Sequence, residues 1–286
     1  MTARKPALKF TKMHALGNDF IVIDALTQPA QMTPKRAKKL ADRHTGIGCD
    51  QILLIEPPSS PEVDFGYRIF NQDGSEVSQC GNGARCFAKY VYDRKLIGKK
   101  SIQVETKSGK MELMVNEDRT YSVALAVPKF EFDQVPYIGS NADFGKEGKI
   151  ITADIGDETF NFSVLNLGNP HAVMQVSSVK KAKVARIGKL LQKHPSFPES
   201  VNVGFMEVLD RQAIRLRVYE RGAGETLACG SGACAAVIAG IKNGLLDSAV
   251  TVNLALGKLR IEWPGPDQPV TLSGPATTVF QGQTRI

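Results

Sequence analysis

YRIFNQDGSEVSQCGNGA, Tyr67 to Ala84, and LRVYERGAGETLACGSGA, Leu216 to Ala233, are one stretch of sequence written twice. At an offset of 149 residues Arg68 meets Arg217 and Glu76 meets Glu225. Cys80, Gly81, Gly83 and Ala84 meet Cys229, Gly230, Gly232 and Ala233. Six identities in eighteen positions compare with about one for unrelated segments of ordinary composition. Further landmarks keep nearly the same spacing. Leu16, Gly17, Asn18 and Val22 recur as Leu167, Gly168, Asn169 and Val173 at 151 residues, and at that shift Gln51 falls on Asn202 and Glu56 on Glu207. An ordered series of shared landmarks implies an internal duplication, two similar halves of about 130–150 residues each.

Local patterns divide the chain in the same way. FIVIDAL (20–26), DQILLIE (50–56), SIQVET (101–106) and KMELMV (110–115) have strand character, as do NVGFMEV (202–208) and AIRLRVYE (213–220). Helical runs are fewer. They are PKRAKKLADRH, with Thr33 as cap and Pro34 at the first helical position, and the alanine-rich stretch after each CGxG. Pro128 to Gly148 is rich in Pro, Gly and Asp and lacks periodicity, which places the boundary near Pro128. The expected halves are 1–128 and 129–274, with the last apolar run, 275–286, returning to pair with the first half.

Composition limits the function. A chain of 286 residues with 42% hydrophobic and 23% charged residues has the profile of a soluble globular protein and excludes disorder or a fibrous repeat. The net charge of +7 favours anionic partners, but the lysines are scattered at 35–39, 99–100 and 180–181 without interleaved aromatics. Solvated faces are expected there, not a nucleic-acid surface. MTARKPALKF has no apolar signal core, and the uncharged stretch Thr226 to Ile241 is rich in glycine and alanine and falls short of a membrane span. The odd count of five cysteines does not make a secreted disulfide framework; reduced cytoplasmic thiols are expected.

The duplicated cysteines carry the chemistry. Each precedes a glycine pair and then a helix, so each is expected at a helix N-terminus, where unpaired backbone amides favour a thiolate. The helix dipole is worth about 0.3–1 kcal/mol, or about 2 in a buried site, and brings a thiol of pKa about 8.5 to about neutrality at most. A thiol poised there suits proton transfer. No CxxC pair exists, and Cys80–Cys86 and Cys229–Cys234 diverge around a helix, so no metal is expected. Cys49, Cys86 and Cys234 read as small buried apolar residues. Neither GxxxxGK[ST] nor a complete GxGxxG after a strand is present, which argues against a nucleotide site. If the halves pack about a pseudo-twofold axis, Cys80 and Cys229 flank one carbon. One removes a proton, the other delivers one, and the stereocentre inverts, the two thiols titrating as a coupled pair.

At these residues the sequence resembles the diaminopimelate epimerase family. KMHALGNDFIVID, GIGCDQILLIEP, FNQDGSEVSQCGNGARC, NLGNPHAV, NVGFMEV and YERGAGETLACGSGACA follow the family's segments in order. The resemblance implies an α+β fold of two pseudo-symmetric halves, each a curved, mostly antiparallel sheet wrapped around a central helix, with the active site in the cleft between them. It implies cofactor-independent interconversion of LL- and meso-diaminopimelate in a cytoplasmic homodimer. By the same resemblance Cys80 and Cys229 are the acid and base, and His171 and Glu220 tune them. Gly81, Asn82, Gly230 and Ser231 hold the carboxylate at the reacting carbon, and Asn18, Gln51, Asn71, Asn169, Asn202, Glu220 and Arg221 bind the remaining groups. Arg221 offers a planar fork for the distal carboxylate and Glu220 accepts from an ammonium. Asparagine beside glycine is also a common turn residue, and Asn18 and Asn169 fit that reading as well. Proline racemase-like enzymes share the architecture and two cysteines, and the Glu220–Arg221 pair favours the longer substrate. Phenazine-biosynthesis-like isomerases share the architecture without the thiol pair.

Overall fold

In a computed structural model, which describes residues 7–78, 80–139, 150–155 and 158–286, the two sequence repeats sit at the same place in two matching series of elements. The first series is β1 (Leu8–Ala15), β2 (Asn18–Asp24), α1 (Pro34–Ala41), β3 (Gln51–Glu56), β4 (Phe65–Asn71), β5 (Glu76–Val77), α2 (Gly81–Asp93), β6 (Ser101–Thr106), β7 (Gly109–Val115) and β8 (Tyr121–Ala124). The second opens with an added strand, β9 (Ile151–Ile155). It continues through β10 (Glu158–Asn166), β11 (Pro170–Gln175), α3 (Val184–Lys193), β12 (Asn202–Asp210), β13 (Ala213–Glu220) and β14 (Gly224–Thr226). It closes with α4 (Gly230–Lys242), β15 (Ala249–Leu254), β16 (Gly257–Glu262) and β17 (Thr271–Gly274), and β18 (Thr277–Thr284) ends the chain.

Pairing repeats along with the order. β2 and β3 run parallel, as do β4 and β6; their counterparts β11–β12 and β13–β15 are the parallel pairs of the second series, and the hairpins between them are antiparallel. β18 pairs antiparallel with β1 in the place that β9 takes beside β10. The C-terminal strand thus supplies the outer strand that the first series lacks. The chain accordingly divides into two compact units, Met1–Val123 with Gly274–Ile286, and Ala124–Ser273.

Each sheet has a helix against it because its strands are apolar on both faces. In β2, Ile21 and Ile23 join Ala37 and Leu40 of α1 in one buried layer. The alternate residues Phe20 and Val22, buried too, point to the opposite face, where α2 packs against β1, β2, β3 and β7. α4 packs likewise on β10, β11, β12 and β13, and every residue from Gly232 to Gly240 on it is buried. A helix apolar all round is one enclosed by sheet.

Several local expectations hold. Thr33 caps α1, its side chain accepting from Arg36 N, with Pro34 in the first turn. SIQVET and AIRLRVYE coincide with β6 and β13. α1 stops earlier than its sequence suggests, at Ala41, because the Asp42 carboxylate accepts from His44 N at 2.9 Å and Thr45 N at 2.6 Å, a turn that competes with helix. The segment from Pro128 is not a loose linker where it is described. Val135 and Tyr137 are buried, and the Tyr137 ring lies 4.8 Å from Phe132 and 5.1 Å from Phe197. Residues 140–148 of that segment, like the N-terminal residues 1–6, lie outside the described part.

The shared residues of the repeat have mechanical reasons to be shared. Arg68 grips Glu76 across β4–β5 with Nε–Oε1 2.7 Å and Nη2–Oε2 2.9 Å. Arg217 grips Glu225 across β13–β14 at 2.7 and 3.0 Å. Each bidentate pair fixes the hairpin that delivers the chain to its cysteine.

Candidate active site

Cys80 is the N-cap of α2 and Cys229 the N-cap of α4, both with extended backbone. In each, the sulfur takes the role usually filled by a serine or aspartate oxygen: Cys80 Sγ accepts from Gly83 N at 3.3 Å, and Cys229 Sγ from Gly232 N at 3.4 Å. The second glycine of CGxG is required by space. A Cβ at Gly83 would stand 2.5 Å from the Tyr67 hydroxyl and 3.0 Å from Leu53 Cδ2; at Gly232 it would stand 3.1 Å from both Cys229 Sγ and Val218 Cγ2. Gly81 and Asn82, and Gly230 and Ser231, fill the first two positions of their helices, where backbone N–H groups lack intrahelical acceptors.

Around Cys80, strand register gathers the polar residues. Phe20 lies beside Gln51 and Gln51 opposite Asn71, so Asn18, Gln51 and Asn71 share one end of β2, β3 and β4. Leu16 and Gly17 form the two-residue turn between β1 and β2, both at positive φ (53° and 94°), which frees Asn18 from turn duty. Asn18 Nδ2 donates to Asp50 Oδ2 at 2.9 Å, and its Oδ1 accepts from Asn82 Nδ2 at 3.1 Å. Gln51 Nε2 donates to Asn71 Oδ1 at 2.9 Å, while Gln51 Oε1 is buried without a hydrogen-bond partner. A buried oxygen of that kind is an acceptor waiting for a donor.

Cys229 lies in a more enclosed setting, only 4% exposed. Glu220, at the end of β13, is held by the Thr226 hydroxyl and accepts from the Cys229 thiol; Ser231 Oγ is 3.7 Å from the sulfur. The expectation that a helix N-terminus lowers this thiol is overturned. Burial, then the Glu220 charge and hydrogen bond, push it well above its ordinary value, outweighing the Gly232 N–H and Ser231. Cys229 is therefore a thiol at neutral pH, a proton donor.

His171, at the start of β11 beside Asn202, is buried. Its Nε2 meets Asn169 Oδ1 at 2.9 Å, and burial, with the Arg221 charge, holds it down to about 3, so it is a neutral imidazole. The asparagine oxygen accepts, which puts the ring proton on Nε2. Both LGN asparagines thus have their oxygens occupied from within their own half. Asn202 is already committed, its Oδ1 accepting from Arg221 N at 2.9 Å and its Nδ2 donating to Pro170 O at 3.0 Å, so it orders the backbone that carries Arg221. Arg221 itself is exposed, with Nη1 on Glu199 O at 2.9 Å.

Cys49, Cys86 and Cys234 are fully buried and form no disulfide, and burial pushes Cys49 up to about 12. Among the described residues no group of three or more His, Cys, Asp or Glu could hold a metal ion, and no helix is long and apolar enough to cross a membrane. Two polar partners escaped the sequence reading. Asp50 had a signal in its place directly before Gln51; Thr226 had none, because only the β13–β14 hairpin brings it to Glu220.

The profile of one family, diaminopimelate epimerase, matches residues 10–130 and 163–279, one CGxGA motif in each segment. The chain belongs to the diaminopimelate epimerase family. The diaminopimelate epimerase of Ectopseudomonas mendocina is 53% identical over 279 residues, covering 98% of this chain and 99% of its own length, and that of Azotobacter vinelandii gives the same figures. Among solved structures, a PhzF-family phenazine biosynthesis protein from Bacillus anthracis superposes with TM-score 0.69 at 14% identity, over 98% of this chain and all of its own. A hydroxyproline epimerase from Agrobacterium vitis gives 0.68 at 13%, over 98% of this chain and 93% of its own. At such identities they share the fold alone, the two like halves of the diaminopimelate epimerase family.

Proposed function

We propose that this chain interconverts LL-2,6-diaminopimelate and meso-diaminopimelate, without a cofactor, by proton transfer at one α-carbon, a step toward lysine and peptidoglycan precursors. Cys80 and Cys229 act from opposite faces of that carbon. The Cys80 thiolate takes the α-proton and becomes a thiol; the Cys229 thiol gives its proton to the other face of the carbanion and becomes the thiolate. The reverse reaction runs with the roles exchanged, and solvent exchange resets the pair. The observation that carries this reading is that Cys229 is held protonated by burial and Glu220 within a motif that the chain repeats around Cys80.

The N-termini of α2 and α4, through Gly81, Asn82, Gly230 and Ser231, stabilise the charge that develops on the α-carboxylate. Asn18 and Asn169 offer N–H groups because their oxygens are occupied. Gln51 Oε1, Asn71 and Glu220 accept from ammonium groups, and Arg221, carried by Asn202, binds the distal carboxylate. His171 stays neutral and so orients Asn169 without adding a charge. The assembly is a homodimer in the cytoplasm, a reading supported by the exposed apolar side chains of Val279 and Phe280 and by free thiols that need a reducing compartment.

Purified protein in reducing buffer, without pyridoxal phosphate, should epimerise LL-diaminopimelate and leave L-proline unchanged; turnover of proline alone would move the chain to the proline racemase-like reading. Cys80→Ala and Cys229→Ala should each abolish turnover, and Cys86→Ala should leave it largely intact. Activity in either single variant of the pair would overturn the two-thiol assignment.

A further inference from the structure

Arg85, five residues beyond Cys80 on α2, is 1% exposed and heads the fully buried side chains by volume. Its Nη2 donates to Asn82 Oδ1 at 2.6 Å and its Nη1 to Pro275 O at 2.9 Å, in the segment that leads into β18. From Asn82 the bonds continue in one direction: Asn82 Nδ2 to Asn18 Oδ1 at 3.1 Å, and Asn18 Nδ2 to Asp50 Oδ2 at 2.9 Å. Arg43 Nη2 and the backbone N–H of Asp19 hold Asp50 at 2.8 and 3.1 Å.

The two ends of this chain are chemically unlike. A guanidinium only donates and a carboxylate only accepts, whereas a carboxamide can do either from its two ends. With the donor fixed at one end and the acceptor at the other, a single orientation of both amides satisfies every link, oxygens toward Arg85 and nitrogens toward Asp50. The polarity of such a chain is cooperative. The second half lacks it: at the offsets of the repeat Arg85 falls on Cys234, Asn82 on Ser231 and Asp50 on Val201. There the oxygen of Asn169 is occupied instead by His171.

We propose that Arg85 is a positioning residue that, with Asp50 at the far end, sets the orientation of the Asn82 and Asn18 amides so that they offer N–H groups to the substrate's carboxylate. This rests on the proposed function, in which both amides bind substrate. A flipped amide would bring its oxygen to a carboxylate, so loss of the chain acts first on substrate affinity.

Arg85→Gln, Arg85→Lys, Asp50→Asn and the double variant Arg85→Gln/Asp50→Asn test this in steady-state epimerisation of LL-diaminopimelate. Arg85→Gln and Asp50→Asn should each raise KM about tenfold or more with a smaller change in kcat, and Arg85→Lys, which keeps a donor for Asn82, should recover part of the loss. The double variant should raise KM by less than the product of the single effects, because one chain is broken from both ends. An unchanged KM in Asp50→Asn, or multiplicative effects in the double variant, would overturn the proposal and leave Arg85 as a packing tie to Pro275. Should the Arg85 variants fail to fold, the Asp50→Asn result decides alone. Wild-type protein that does not turn over diaminopimelate would instead refute the proposed function, before any variant is compared.

Discussion

His171 offers a prediction whose size follows from its burial. Enclosure in the second unit, with Arg221 nearby, lowers its folded pKa from 6.5 to about 3. A group with a depressed folded value stabilises the fold while both states are neutral, above about pH 6.5, and that stability is lost as pH falls because the unfolded chain takes up the proton first. The linkage relation gives a loss of about 2 kcal/mol between pH 7 and pH 5, and about 4–5 kcal/mol by pH 3. Urea unfolding of the wild type and of His171→Asn at pH 7 and pH 5 isolates this group. The variant is expected to be less stable at pH 7 and to lose about 2 kcal/mol less than the wild type on going to pH 5. In a carbon-labelled histidine spectrum, the His171 ring should remain neutral to below pH 4. Equal pH dependence in the two proteins, or a His171 titration near 6.5, would refute the reasoning.

Two further outcomes follow from the site. Glu220→Gln removes the negative charge beside Cys229, so the thiol should ionise more easily; the alkaline limb of kcat/KM is expected to move to lower pH, and an unmoved limb would separate Glu220 from Cys229. Gly83→Ala inserts a methyl 2.5 Å from the buried Tyr67 hydroxyl and should cost about 1–3 kcal/mol in thermal or urea unfolding despite alanine's higher helix propensity; unchanged stability would mean that α2 can shift on its sheet.

The duplication was legible in the sequence because each shared residue does local work. Arg68 and Glu76 must both be kept for their ion pair to form, and so must Arg217 and Glu225. The cysteine must stand at the cap, and the second glycine of CGxG must admit the sheet. β6 and β13 were readable to the residue because their apolar alternation is bounded by polar turns. What escaped depends on tertiary burial. A helix terminus suggests a lowered thiol, yet Cys229 is raised, since enclosure and a carboxylate nine positions earlier in the chain outweigh one N–H bond. The segment after Pro128 has no period to read, but Val135 and Tyr137 reach the core. A single arginine in a helix carries no sign that it is buried, and only the fold sets Arg85 between Asn82 and Pro275.

The two-thiol mechanism is tested most directly by turnover of LL-diaminopimelate in heavy water, with the isotope content of substrate and product followed from the first few per cent of reaction. Because the proton removed on one face is not the proton delivered on the other, the meso product should carry one solvent deuterium at the inverted carbon while the remaining LL substrate stays unlabelled. Product that keeps the original hydrogen, or substrate labelled as fast as product, would contradict the assignment of Cys80 and Cys229 as two separate proton carriers.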